Sequence, residues 1–279
     1  MKRKLLLILT LSLLISACAK APDRYSNVAI NLGFNDAPVT FVAYTTSQAE
    51  FDKYFEQLKE DLMFLGQLFD RYNDYPNLNN LKTINDNAGI KAIEVDQNLI
   101  DLLVFARDWS TLSQNTFNVT LGAVLDIWSD YRNEGKLKNT ADPVEYGRIP
   151  SLGLLQQADT CTGWGFVEID DQANTVFITN PCTRLDVGGI ATGFAIDIAV
   201  KKHLDAGLET AIINIGDSSI ITIRTKPNGD AWGVGIAQPK RNVIFADGSV
   251  DTLYFKDSIY ISTSGDNQNY YLAEDGEYY

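Results

Sequence analysis

Leu185-Asp186-Val187-Gly188-Gly189-Ile190-Ala191-Thr192-Gly193-Phe194-Ala195 is the most informative stretch of this 279-residue chain. A strand is predicted to end at Asp186. Two glycines then let the backbone pass close to a neighbour, and a helix begins. The unpaired N–H groups at a helix N-terminus suit an anion such as phosphate. An aspartate at the strand end can accept from a base or a sugar hydroxyl. Taken alone, Gly-Gly before a helix is also a common turn. The helix carries Phe194, Ile198 and Leu204 at apolar spacing and ends at Gly207, a suitable C-cap. His203, among lysines and beside Leu204, is expected on the solvent side.

Downstream, strands are predicted at 210–215, 219–225, 232–237, 252–255, 258–262 and 269–272. Upstream, Trp164–Ile169 and Thr175–Thr179 form a hairpin pattern, with Val167 opposite Ile178 and Ile169 opposite Val176. That register brings Cys161 and Cys182 to the open end of the hairpin, either bonded or as two free thiols. Earlier still, Phe41–Tyr44 is strand-like. Ser47 with Glu50 makes a capping box, and Phe51, Tyr54, Phe55, Leu58, Leu62, Leu65, Leu68 and Phe69 recur at helical spacing. An Asn-rich loop is expected from Arg71 to about Gly89, and a second helix from about Asp96 towards Trp109. A short helical segment is expected over Gly122–Trp128, and a loop-rich stretch from there to Gly153. Strands outnumber helices in the second half and few βαβ units are visible. The fold class is therefore α+β, with antiparallel sheets and packed helices.

Composition narrows the function. Net charge is −13, and no basic run offers phosphate contacts, so nucleic acid is a poor partner. One histidine and three cysteines exclude the usual zinc and self-contained iron–sulfur sites, which leaves hard ions on oxygen ligands. The N-terminus carries Lys2-Arg3-Lys4 and then an apolar run from Leu5 to Ile15, too short to span a bilayer. Ile15-Ser16-Ala17-Cys18 is similar to a bacterial lipobox. The expected organisation is a signal peptide over 1–17, a tether over 18–38 starting at a lipidated Cys18, and one domain over 39–279. The mature chain is expected to be lipid-anchored on the extracytoplasmic face of the cell membrane, where a Cys161–Cys182 disulfide could persist.

Five blocks in order resemble the ApbE family, the FAD:protein FMN transferases. They are Leu68–Tyr72 followed by Leu81–Asn85; Phe117-Asn118-Val119-Thr120 through Gly122 and Trp128; Leu185–Ala195; Asn214-Ile215-Gly216 with Trp232–Ile236; and Ser262-Thr263-Ser264-Gly265-Asp266. The resemblance implies a T-fold-like domain. It also implies a Mg²⁺-dependent reaction in which a Thr or Ser hydroxyl of an exported redox protein attacks the FMN phosphorus of FAD and displaces AMP. By motif position Asp186 would hold FAD, and Thr192 would stand at a FAD-contacting position. Tyr72 would stack, Thr116, Phe117 and Asn118 would line the cofactor, and Thr263 and Ser264 would complete the pocket. The Gly189 carbonyl would bind Mg²⁺.

Four departures accompany the resemblance. Thr192 replaces a usual Lys, Asp217 a usual Gly and Asn118 a usual Asp. The family's later His-x-x-Asp-Pro-x-Thr block, a source of Mg²⁺ ligands, does not occur before Tyr279, so the domain is expected to be C-terminally incomplete and its activity weakened. Two other functions fit the same N-terminus: a lipoprotein that holds FAD without transferring FMN, and a solute-binding lipoprotein. The second would call for repeated βαβ units.

Overall fold

The computed structural model describes residues 21–34, 37–216, 218–237, 249–265 and 269–279. The apolar stripe of the first long helix organises the core. In α1 (Gln48–Phe69) the residues Phe51, Tyr54, Phe55, Leu58, Leu62, Leu65, Leu68 and Phe69 are all buried. Ser47 caps it by accepting from the Glu50 N–H. The Glu50 carboxylate accepts instead from the Thr46 backbone and hydroxyl, so the expected reciprocal box is shifted by one residue.

This helix packs on an antiparallel five-stranded sheet of order β1-β2-β6-β7-β10. The strands are β1 (Asp23–Ala29), β2 (Val39–Thr45), β6 (Ala211–Ile215), β7 (Ser219–Ile223) and β10 (Ile259–Ser262). Residues 23–29, assigned to the tether by composition, thus pair along their whole length with β2. Phe41 of β2 stacks on Phe51 and Phe55 of α1, with centroids 5.4 and 6.3 Å apart.

A second antiparallel sheet has the order β3-β5-β4, from Ile93–Glu94, Thr175–Ile178 and Val167–Asp170. Its hairpin adopts the expected register, Val167 opposite Ile178 and Ile169 opposite Val176. At its base Cys161 and Cys182 form a disulfide, with Cα atoms 5.5 Å apart. A two-stranded ribbon, β8 (Trp232–Ala237) and β9 (Ser249–Phe255), completes the described strands.

The other helices correct several expectations. The Asn-rich stretch contains α2 (Leu81–Asp86), started by a capping box between Asn80 and Thr83. Helix α3 (Gln97–Leu112) starts at an Asp96 cap. Helix α4 (Gly122–Asn139) runs well beyond the short segment predicted, and α5 spans Leu152–Asp159.

Helix α6 (Ala191–Asp205) buries Ala195, Ile196, Ala199, Val200 and His203, and the predicted Phe194 and Ile198 pack half-buried against the same core. His203 is therefore not on the solvent side: it is 1% exposed, while Leu204 points outward. Its Nδ1 lies 2.7 Å from the Ala199 carbonyl and its Nε2 2.9 Å from that of Tyr54, tying α6 to α1. Gly207, at φ 95°, ends the helix as expected.

Candidate functional site

The end of α1 delivers the site's central cation. Asp70 accepts at Oδ1 from the Tyr72 and Asn73 N–H groups and at Oδ2 from the Asn73 amide and the Tyr75 hydroxyl. Burial pushes the Asp70 carboxyl up, and these hydrogen bonds outweigh it to leave its pKa below the ordinary value. The turn so fixed presents Arg71. Its guanidinium donates from Nη1 to Asp186 Oδ2 and from Nη2 to Asp126 Oδ1, each at 2.6 Å.

The segment that carries Asp186 is not the end of a strand as predicted: beyond an isolated bridge between Arg184 and Leu121 it is irregular, and it is held from three sides. Buried Asn85 pairs with Leu185 like a neighbouring strand, donating to its carbonyl at 2.9 Å and accepting from its N–H at 2.8 Å. The Asp186 N–H donates to the Val119 carbonyl at 2.8 Å. The Gly122 N–H donates to the Arg184 carbonyl at 3.0 Å. A Cβ on Gly122 would lie 2.5 Å from that oxygen, so only glycine allows this approach.

Asp186 Oδ1 then accepts from the Gly188 N–H at 2.8 Å and turns the chain into α6. The Ile190 cap of α6 makes no side-chain cap bond, and Gly188, Gly189 and Gly193 are exposed. A helix start of this kind fits an anionic phosphate.

The predicted residues fall into two groups. Tyr72 is 63% exposed, with the Arg71 guanidinium over its ring at 5.3 Å from the centroid. Phe117 is half-buried, and its ring edge would lie 3.5 Å from a Cβ on Gly189. Asn118 Oδ1 accepts from the Thr120 N–H and hydroxyl, and Thr120 in turn accepts from the Gly163 N–H. Tyr72, Phe117, Asn118, Asp186, Gly189 and Thr192 therefore belong to one neighbourhood, with Thr192 half-buried in the first turn of α6. Thr116 is exposed, its hydroxyl bonded to the Ser113 carbonyl. Thr263 and Ser264 follow β10 at the end of the five-stranded sheet, where the Thr263 N–H donates to the Ser218 carbonyl. Tyr260 of the same strand reaches α6 through Asp197, at 3.0 Å. Cys18, Asp217 and Asp266 lie outside the described residues.

Arg71 and Asp126 are site residues that no sequence motif marks: Arg71 lies between Asp70 and Tyr72, just past the C-cap of α1, and a lone arginine there is the one signal that points to it. Among the described residues no group of three or more His, Cys, Asp or Glu side chains could hold a metal ion. The two carboxylates nearest Gly189 in this network both bond Arg71, so the described side chains do not by themselves fit a magnesium centre.

Comparison with known proteins then decides the family. The model of the ApbE family matches residues 36–279. The chain belongs to the ApbE family. The ApbE protein of Thermotoga maritima superposes with a TM-score of 0.72 at 26% identity, covering 92% of this chain and 75% of that one. The flavinyl transferase ApbE of Pseudomonas stutzeri, at 16% identity and a TM-score of 0.62, shares the fold. Two curated relatives carry the name FAD:protein FMN transferase. One, from Rhodobacter capsulatus, is 26% identical over 66% of this chain and 32% of its own length. The other, from Chlamydia muridarum, is 26% identical over 64% and 54%. The present ApbE-family chain thus spans 32% of the length of one of these relatives and 54% of the other.

Proposed function

We propose that this chain transfers FMN from FAD to a threonine or serine hydroxyl of a partner protein, releasing AMP. The observation that carries the proposal is the Arg71-anchored Asp186 turn leading into the glycine-lined start of α6, which no side chain caps, in a chain of the ApbE family. In the reaction the acceptor oxygen forms a bond to the FMN phosphorus. The phosphoanhydride bond to AMP breaks, and the hydroxyl loses its proton. Such a transfer needs placement and charge stabilisation more than covalent help. The first turn of α6 would take the pyrophosphate. Asp186 would accept from a sugar hydroxyl or the base, and Tyr72, Phe117 and Asn118 would flank the planar rings. Magnesium, implied by the family resemblance at the Gly189 carbonyl, takes no part in the steps assigned to these residues. We also place the mature protein at the membrane's extracytoplasmic face through Cys18. Loss of membrane fractionation in Cys18→Ala tests that part.

The activity test mixes the purified protein, FAD and Mg²⁺ with an exported protein carrying an exposed threonine. In-gel flavin fluorescence on the acceptor and one AMP per flavin are expected. FAD binding without either product would instead identify a flavin-holding protein. No FAD binding at all would remove the flavin reading.

A further inference from the structure

We propose that Arg71 is a positioning residue for FAD, holding two carboxylates in check at the entrance to α6; the inference rests on the FAD reading above. The Arg71 side chain is 8% exposed, against 17% for Asp186 and 45% for Asp126. A guanidinium this buried needs partners, and it takes one carboxylate with each terminal nitrogen. The two carboxylates come from different elements, Asp126 from α4 and Asp186 from the segment before α6. The rigid planar fork of arginine fixes their separation, which a lysine ammonium cannot do.

The hold passes onward. Asp186 uses its second oxygen to fix Gly188, so one carboxylate links Arg71 to the glycine turn. Tyr72 lies over the same guanidinium and exposes its ring beside it. Arg71 also neutralises charge. Without it, Asp126 and Asp186 would stand as two uncompensated anions near the proposed pyrophosphate site, and like charges there oppose binding. A purely architectural arginine would not make FAD affinity depend on the charge at position 126.

The test is FAD titration followed by flavin fluorescence, with melting curves alongside, for the parent, Arg71→Lys, Arg71→Met, Asp126→Asn and Arg71→Met/Asp126→Asn. Loss of a charge-assisted contact predicts that Arg71→Met weakens FAD binding by about tenfold or more. Arg71→Lys should fall between Met and the parent. Removing the Asp126 charge in the Arg71→Met background should recover part of the loss. Arg71→Lys keeps the test decisive should Arg71→Met fail to fold, because parent-like affinity in the lysine variant would overturn the fork requirement. Parent-like affinity in Arg71→Met, or a loss that follows the melting temperature and is not relieved by Asp126→Asn, would overturn the inference alone. A parent protein that does not bind FAD would overturn the functional reading and this inference together.

Discussion

Asp70 and Tyr75 hold the turn that carries Arg71 and Tyr72, and their titrations give it a pH window. The folded pKa of Asp70 is lowered, so its stabilisation is present above the unfolded value near 4 and is lost as pH falls through the folded pKa. Burial, together with the Asp70 hydrogen bond and charge, pushes Tyr75 up to about 12 from an ordinary 10.0. Its contribution is complete below pH 10 and disappears between 10 and about 12. Urea melts of the parent and Tyr75→Phe across this range should differ by about 1 kcal/mol at neutral pH and converge at the alkaline end. A constant difference would show that the hydroxyl contributes nothing through its protonation. At this scale the sequence was least legible. His203 looked solvated because its chain neighbours are charged, whereas its helical phase with Ala195, Ile196, Ala199 and Val200 places it inside. Arg71 was equally hidden, since both partners are distant in sequence.

The elements were legible where burial is periodic. Helix α1 buries a continuous stripe, and Leu58 and Leu62 are fully enclosed between it and its neighbours. Leu62→Ala should therefore cost about 2–5 kcal/mol in chemical denaturation, since the transfer loss and the cavity add. A cost under 1 kcal/mol would mean that the core closes over the gap. Helix α4 was cut short in prediction because it carries no such stripe; its fully buried residues are Gly122 and Gly135. Gly135 is buried under Tyr271, whose ring occupies the space a side chain there would need. That contact depends on a partner far along the chain, which periodicity cannot report. Helix α2 was lost among asparagines because its start is polar: Asn80 caps it and also donates to the carbonyls of Gln67 and Asn73. The hairpin register, by contrast, followed directly from alternation, because a one-residue slip would have turned its apolar face outward.

Across the whole molecule, the disulfide joins parts of the candidate site. Cys161 lies two residues before Gly163, which donates to Thr120, and Cys182 lies four before Asp186. The cysteines are 21 residues apart, so removing the bond as Cys161→Ser/Cys182→Ser should cost about 3 kcal/mol. A dithiol reductant should bring the parent to the same midpoint, and an unchanged midpoint in both cases would deny the bond a structural role. The α+β class was legible from the density of strands, but the order of the large sheet was not, because nothing local tells β2 that β6 is its second partner.

The placement of β2 also bears on how the chain is made. Val39 pairs with Ile215 and Ala43 with Ala211, whereas β1 lies close by in sequence. As synthesis proceeds from the N-terminus, a β1–β2 hairpin can form early and leave one apolar edge unmatched. That edge is a template for foreign strands until residues 211–215 emerge. Nascent fragments that stop before residue 211 should therefore depend on chaperones, and full-length refolding should slow with the long loop closure that this pairing demands.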